Sequence, residues 1–176
     1  VDPEAAAGVC FLLLQLGLIT GTKAAEEREG SDLSGLITLY LDLLRILENN
    51  FSKEIGREFE AILFQCKKDL TGQSKMLFYD IDFSRMPRKG IVDKILERFS
   101  GLPSVEGIPL VLSSSFNELL YLLIVRMKRI LGIRITEKAL FEMIDMIRFA
   151  KRCEADSALR AHLEGKLEDY MRQIKA

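Results

Sequence analysis

The stretch Asn117 to Leu131, NELLYLLIVRMKRIL, is apolar around most of its circumference when wound as a helix. Leu119, Leu120, Leu122, Leu123, Ile124 and Val125 cannot all face one neighbour at 3.6 residues per turn. A helix of this kind needs cover on several sides, either from the rest of its own domain or from a partner. Gly132 stands where a helix commonly ends. Ahead of it, Ser115-Phe116-Asn117-Glu118 has capping-box spacing, so Ser113 to Ser115 read as a loop and a cap.

The remaining elements also read as helices. Leu36, Leu39, Tyr40, Leu43, Ile46 and Leu47 recur at three- and four-residue steps, a wide apolar stripe capped by Ser31 or Asp32 and ended by Asn49-Asn50. Ser52 caps a following helix with Ile55, Phe59, Ile62, Leu63 and Cys66 on one face. Thr136 caps EKALFEMIDMIRFAKR, and Asp156 or Ser157 caps a charged last helix to about Ile174. Between them, KMLFYDIDF alternates Leu77, Tyr79, Ile81 and Phe83 against Phe78, Asp80 and Asp82, which predicts a short strand. A short helix, IVDKILERF, comes after it.

Ala5 to Thr20, AAAGVCFLLLQLGLIT, is uncharged but spans only roughly 24 Å as a helix, against about 30 Å of hydrocarbon. Asp2 and Glu4 precede it where a secretory signal carries basic residues. It reads as a core helix, with a docking helix and then a truncated membrane anchor as the alternatives, and no membrane span is expected. Gly21 to Gly30 is polar and glycine-bounded, a linker pattern. The chain therefore divides into an N-terminal apolar helix and linker, 1–30, and a helical domain, 31–176. The fold expected is an all-α bundle of six or seven helices with an extended or irregular crossover near 73–110. Sliding 36–63 over 120–147 gives six identities, among them Leu36/Leu120, Arg45/Arg129 and Glu58/Glu142, and sets Ser52 over Thr136. That echo raises a duplicated helical hairpin as one route to the bundle.

Composition narrows the function classes. The 25 basic and 26 acidic residues nearly cancel, which gives no reason to expect a nucleic-acid partner. Arg126, Lys128, Arg129 and Arg134, with Arg148, Lys151 and Arg152, form the densest basic group, but no aromatic stacking platform interleaves them. Cys10, Cys66 and Cys153 are odd in number and widely spaced, which fits a reducing cytoplasm better than a disulfide framework or zinc site. His162 is the sole histidine and lies in a charged helical stretch, reading as a surface residue. No Walker loop, dinucleotide fingerprint, zincin helix or nucleophile elbow is present, and no cofactor, metal ligand or catalytic residue is assigned.

One motif invites a catalytic reading. Asp80-Ile81-Asp82-Phe83-Ser84 resembles the nucleophile loop of haloacid-dehalogenase-type phosphatases, which implies one aspartate attacking phosphorus and the other serving as acid and base beside Mg²⁺. That chemistry needs the pair at the end of a strand in a parallel sheet, and the helical sequence around it favours a connector in which Asp82 or Ser84 caps a turn. At larger scale, a leucine-rich helix, a break, a second amphipathic helix, the DID connector and FNELLYLL…RILG with a further helix resemble helical regulatory regions of archaeal signal-transduction proteins. Those regions accompany histidine kinases or KaiC-like ATPases, and the likeness covers roughly residues 32–152. It shares no catalytic motif and carries no functional residue over.

The sequence thus points to a non-catalytic cytoplasmic regulatory or interaction module that acts through helix–helix association, as a homodimer or on a partner helix. The alternative is a sensor domain holding a small apolar ligand between helices, with Met127, Met143 and Met146 suited to either role. The third reading is the Mg²⁺-dependent phosphatase built on Asp80 and Asp82.

Overall fold

The computed structural model describes residues 22–99, 107–149 and 157–175. Seven α-helices and one 3-10 turn account for most of them, and no strand occurs among the described residues: α1 Thr22–Ile55, α2 Phe59–Asp69, α3 Gly72–Phe78, α4 Arg88–Glu97, α5 Ile108–Leu131, α6 Ile133–Phe149 and α7 Ser157–Lys175. The chain is an all-α bundle. The expected helix at Ala5–Thr20, Cys10, Lys151, Arg152, Cys153 and the Asp156 cap lie outside the described residues.

The helix α5 is the hub, packing against α1, α2, α3, α6 and α7. Its all-round apolarity is used inside one chain: Leu112, Phe116, Leu119, Leu120, Leu123 and Met127 are fully buried. By length and composition this helix could cross a bilayer, yet 56% of its most apolar window is buried within the bundle. Phe116 stacks on Tyr40 of α1 with ring centroids 4.7 Å apart and meets Phe78 of α3 at 4.8 Å. This aromatic cluster joins three helices that are far apart in sequence.

Several helix ends differ from those the sequence predicts. The helix α1 is already formed at Thr22, so the polar stretch expected as a linker is helical from that residue on, and Ser31 and Asp32 do not begin the helix. It also passes through Asn49-Asn50. The buried Asn50 side chain donates to the Ile46 carbonyl at 2.9 Å and to Glu142 of α6 at 2.8 Å, so it is satisfied within the helix rather than ending it. The break falls at Gly56, whose φ of +66° is open to glycine and strained for other residues. Ser52 is therefore interior to α1 and caps nothing.

The helix α5 begins seven residues ahead of the expected cap, at Ile108, with Pro109 in its first turn. Ser113 and Ser115 are buried in its interior. Glu118 does not cap its own helix. Instead it accepts from the Thr71 amide at 3.0 Å and hydroxyl at 2.9 Å, holding the start of α3. Gly132, at φ +83°, separates α5 from α6 as the sequence indicates. Thr136 is buried one turn into α6 and donates to the Gly132 carbonyl at 2.8 Å, so it is not an N-cap.

The 84-residue echo does not extend to these breaks. It sets Gly56 over Leu140, in the middle of α6, and Glu48, in the middle of α1, over Gly132.

Candidate functional site

The predicted strand is instead the helix α3. Ser74, Leu77, Phe78 and Ile81 are buried and stand at i, i+3, i+4 and i+7, while Met76 and Tyr79 are exposed. The alternation of Leu77, Tyr79, Ile81 and Phe83 is thus incidental to a helical stripe. The segment Tyr79–Pro87 then turns tightly back toward α4. The Asp82 carboxylate accepts from the Ser84 and Arg85 amides, both at 3.1 Å, and the Asp82 carbonyl accepts from the Met86 amide at 3.0 Å. That is the local cap expected of Asp82 in a connector. Phe83 points back inward, edge-on to Phe78 with centroids 5.6 Å apart.

Asp80 is tied to α4. Lys94 reaches its carboxylate at 2.8 Å and its carbonyl at 3.2 Å, and Arg98 bonds the other carboxylate oxygen. The hydrogen bond from Lys94, against a small desolvation effect and with Arg98 alongside, holds the Asp80 carboxyl below its usual range. Lys67 of α2 completes the group: its ammonium donates to the Ile81 carbonyl and lies 5.8 Å from the Phe83 ring centroid. Burial pulls the Lys67 amine below its ordinary value, opposed by the charges of Asp82 and Asp80.

Both aspartates are therefore engaged in holding the connector. Neither stands at the end of a strand, and among the described residues no group of three or more His, Cys, Asp or Glu side chains is placed to hold a metal ion. The parallel sheet on which the phosphatase mechanism depends is not among the described residues.

The connector separates two clefts. One, of about 350 Å³, lies between α1, α2 and α4 and is lined by Leu44, Phe59, Leu63 and Ile91, with Arg45 and Glu48 at its edge. The other, of about 330 Å³, lies between α2 and the connector, beside Lys67, Asp80 and Asp82. Leu63, Phe83 and Ser84 contribute to both. A third hollow, of about 540 Å³, is more apolar and runs along Met76, Leu77, Phe99, Ile108 and Val111.

No family model, curated protein or solved structure matches this chain. Its chemistry is read from its own residues.

Arg126 bonds Asp69 of α2, and Arg148 bonds Glu164 and Glu168 of α7, so two cations of the basic group in the sequence join helices. His162 is exposed on α7. Cys66 is buried, and burial pushes its thiol up to about 11, which makes it a poor nucleophile.

Sequence reading missed a buried polar set in the core. The Tyr40 hydroxyl donates to Asn117 Oδ1 at 3.2 Å and lies 3.4 Å from the Ser113 carbonyl, and the Tyr170 hydroxyl donates to the Asn117 carbonyl at 3.2 Å. Ser113 Oγ is buried without a hydrogen-bond partner among the described residues. Lys67 and the Arg45/Glu48 edge were also missed, since charged residues on amphipathic helices carry no pattern that separates a cleft rim from open solvent.

Proposed function

We propose that the chain is a non-catalytic cytoplasmic regulatory or interaction module that works through helix–helix association, as a homodimer. The observation that carries this reading is the apolar hollow between α3 and the start of α5. Met76 lines it and is 73% exposed, and Phe99, Ile108 and Val111 line it as well. Large apolar side chains left open around a groove suit an amphipathic helix laid into it. The free buried thiol of Cys66 fits a reducing compartment. A regulatory role also agrees with the likeness to archaeal signalling regions.

Native mass spectrometry tests the reading. The expected species is twice the 20.0 kDa chain mass, reverting to one chain in Met76→Glu and Val111→Glu. A wild-type monomer at all concentrations overturns it.

A second reading has its own support. The cleft between α1, α2 and α4 has an apolar floor and a volume at the lower end of ligand pockets, which run from about 300 to 1,000 Å³. That favours a sensor domain for a small ligand held between helices. Extra mass retained on a single chain in the same spectrum is its signature.

A further inference from the structure

The cleft between α1, α2 and α4 carries more chemical information than its size. Its floor is apolar, built from Leu44, Phe59, Leu63 and Ile91, which are all buried side chains. Its edge is charged with both signs. Arg45 and Glu48, one turn apart on α1, both line it. Arg88 also lines it, but its guanidinium is engaged by Asp42. Among the described residues, neither Arg45 nor Glu48 has a hydrogen-bond or ion-pair partner. The fourth wall is Phe83, fixed by its contact with Phe78 and by the Asp82 turn, so the cleft is formed in advance of any ligand.

We propose that this cleft binds an apolar α-amino acid. The side chain enters the aliphatic and aromatic floor, the carboxylate takes the Arg45 guanidinium, and the ammonium takes the Glu48 carboxylate. Residues at i and i+3 of a helix have Cβ atoms about 5–6 Å apart, within reach of the two charges on one amino acid. A guanidinium is suited to bidentate capture of a carboxylate. A neutral ligand leaves both edge charges unmatched, and a simple acid or amine leaves one. The proposal rests on the sensor reading and supplies its ligand class.

The test is calorimetry on the full chain with L-leucine, 4-methylpentanoate and 3-methylbutylamine, alongside methyl NMR with benzene as a neutral apolar probe. L-leucine is expected to bind, and each analogue, lacking one charge, to bind about tenfold more weakly or worse. Arg45→Gln and Glu48→Gln are expected to abolish L-leucine binding without changing the thermal midpoint, since neither residue has a partner to lose. Equal binding of the three compounds, or binding unaffected by the two variants, overturns the proposal. If benzene shifts the Leu44 and Ile91 methyls while L-leucine does not bind at millimolar concentration, the amino-acid proposal fails and the sensor reading stands. If neither binds, both fall.

Discussion

The Tyr40 hydroxyl donates to the side-chain oxygen of Asn117 at 3.2 Å, joining α1 to α5 across 77 positions of sequence inside the core. Both residues are buried, and the tyrosine ring simultaneously stacks on Phe116. A polar contact in such a place is costly to leave half-made, because the surviving acceptor has no water to turn to.

Tyr40→Phe keeps the stacked ring but strips Asn117 Oδ1 of its donor. The expected loss is about 1–3 kcal/mol in urea unfolding, with the slope of the transition unchanged. Tyr170→Phe removes a donor to a backbone carbonyl at the edge of the same set and is expected to cost less. Equal or smaller loss at Tyr40 contradicts the assignment.

Two of the three positive-φ glycines among the described residues, Gly56 and Gly132, are expected to lose stability on substitution by alanine, while a helical glycine responds in the opposite sense. Gly132, at φ +83° and ψ 173°, occupies backbone space essentially restricted to glycine, and Gly132→Ala is expected to destabilise by about 1–3 kcal/mol. Gly56→Ala, at φ +66°, is expected to cost about 1–2 kcal/mol. Gly35 lies within α1 with open space where a Cβ would stand, so Gly35→Ala should stabilise by about 0.5–1 kcal/mol. Chemical denaturation of the three variants gives the signs directly.

Alkaline pH is expected to unfold the bundle through groups it keeps protonated. Burial raises the Cys66 thiol from 9.0 to about 11, and Tyr40 and Tyr170 from 10.0 to about 12. Each raised value marks a contribution fully present below the ordinary pKa and lost as pH climbs to the folded-state value. The thermal midpoint should therefore fall from about pH 9 onward, and more steeply above 10. Cys66→Ala should flatten the first part of that decline and Tyr40→Phe the second.

Asp80 sets the opposite limit. Its carboxyl is held low by Lys94 and Arg98, so its contribution is present above the ordinary value of 3.8 and disappears as pH falls below it. The pairs are partly exposed, and Asp80→Asn is expected to cost no more than about 1 kcal/mol at neutral pH. The same variant and the wild type are expected to be equally inert toward p-nitrophenyl phosphate with Mg²⁺. Turnover by the wild type that Asp80→Asn abolishes would return the aspartate pair to catalysis.

The sequence made the centre of this fold legible and its joints much less so. The apolar circumference of Leu119 to Val125 required a helix covered on several sides, and α5 meets five others. Gly132 was readable because a glycine after a long apolar run has few other uses. Gly56 was not, since Asn49-Asn50 and Ser52 offered a nearby ending that was locally as good. What decided the matter was Glu142, 92 residues beyond Asn50, and no local pattern contains it. Likewise Ser115 and Glu118 had the spacing of a cap, but Glu118 serves Thr71 on another helix. The turn cap at Asp82 was legible, because its partners are two and three residues away. The cations that hold Asp80 come from a separate helix and could not be named.

The central position of α5 has a consequence for biosynthesis. During synthesis, the apolar stripe of α1 is finished some 60 residues before the segment that will stack on Tyr40 leaves the ribosome. A nascent chain carrying α1 to α4 therefore lacks the helix that stacks on Tyr40 and packs along α1, leaving apolar surface of the kind that chaperones hold and aggregates share. A chain that ends before Phe116 lacks that cover altogether.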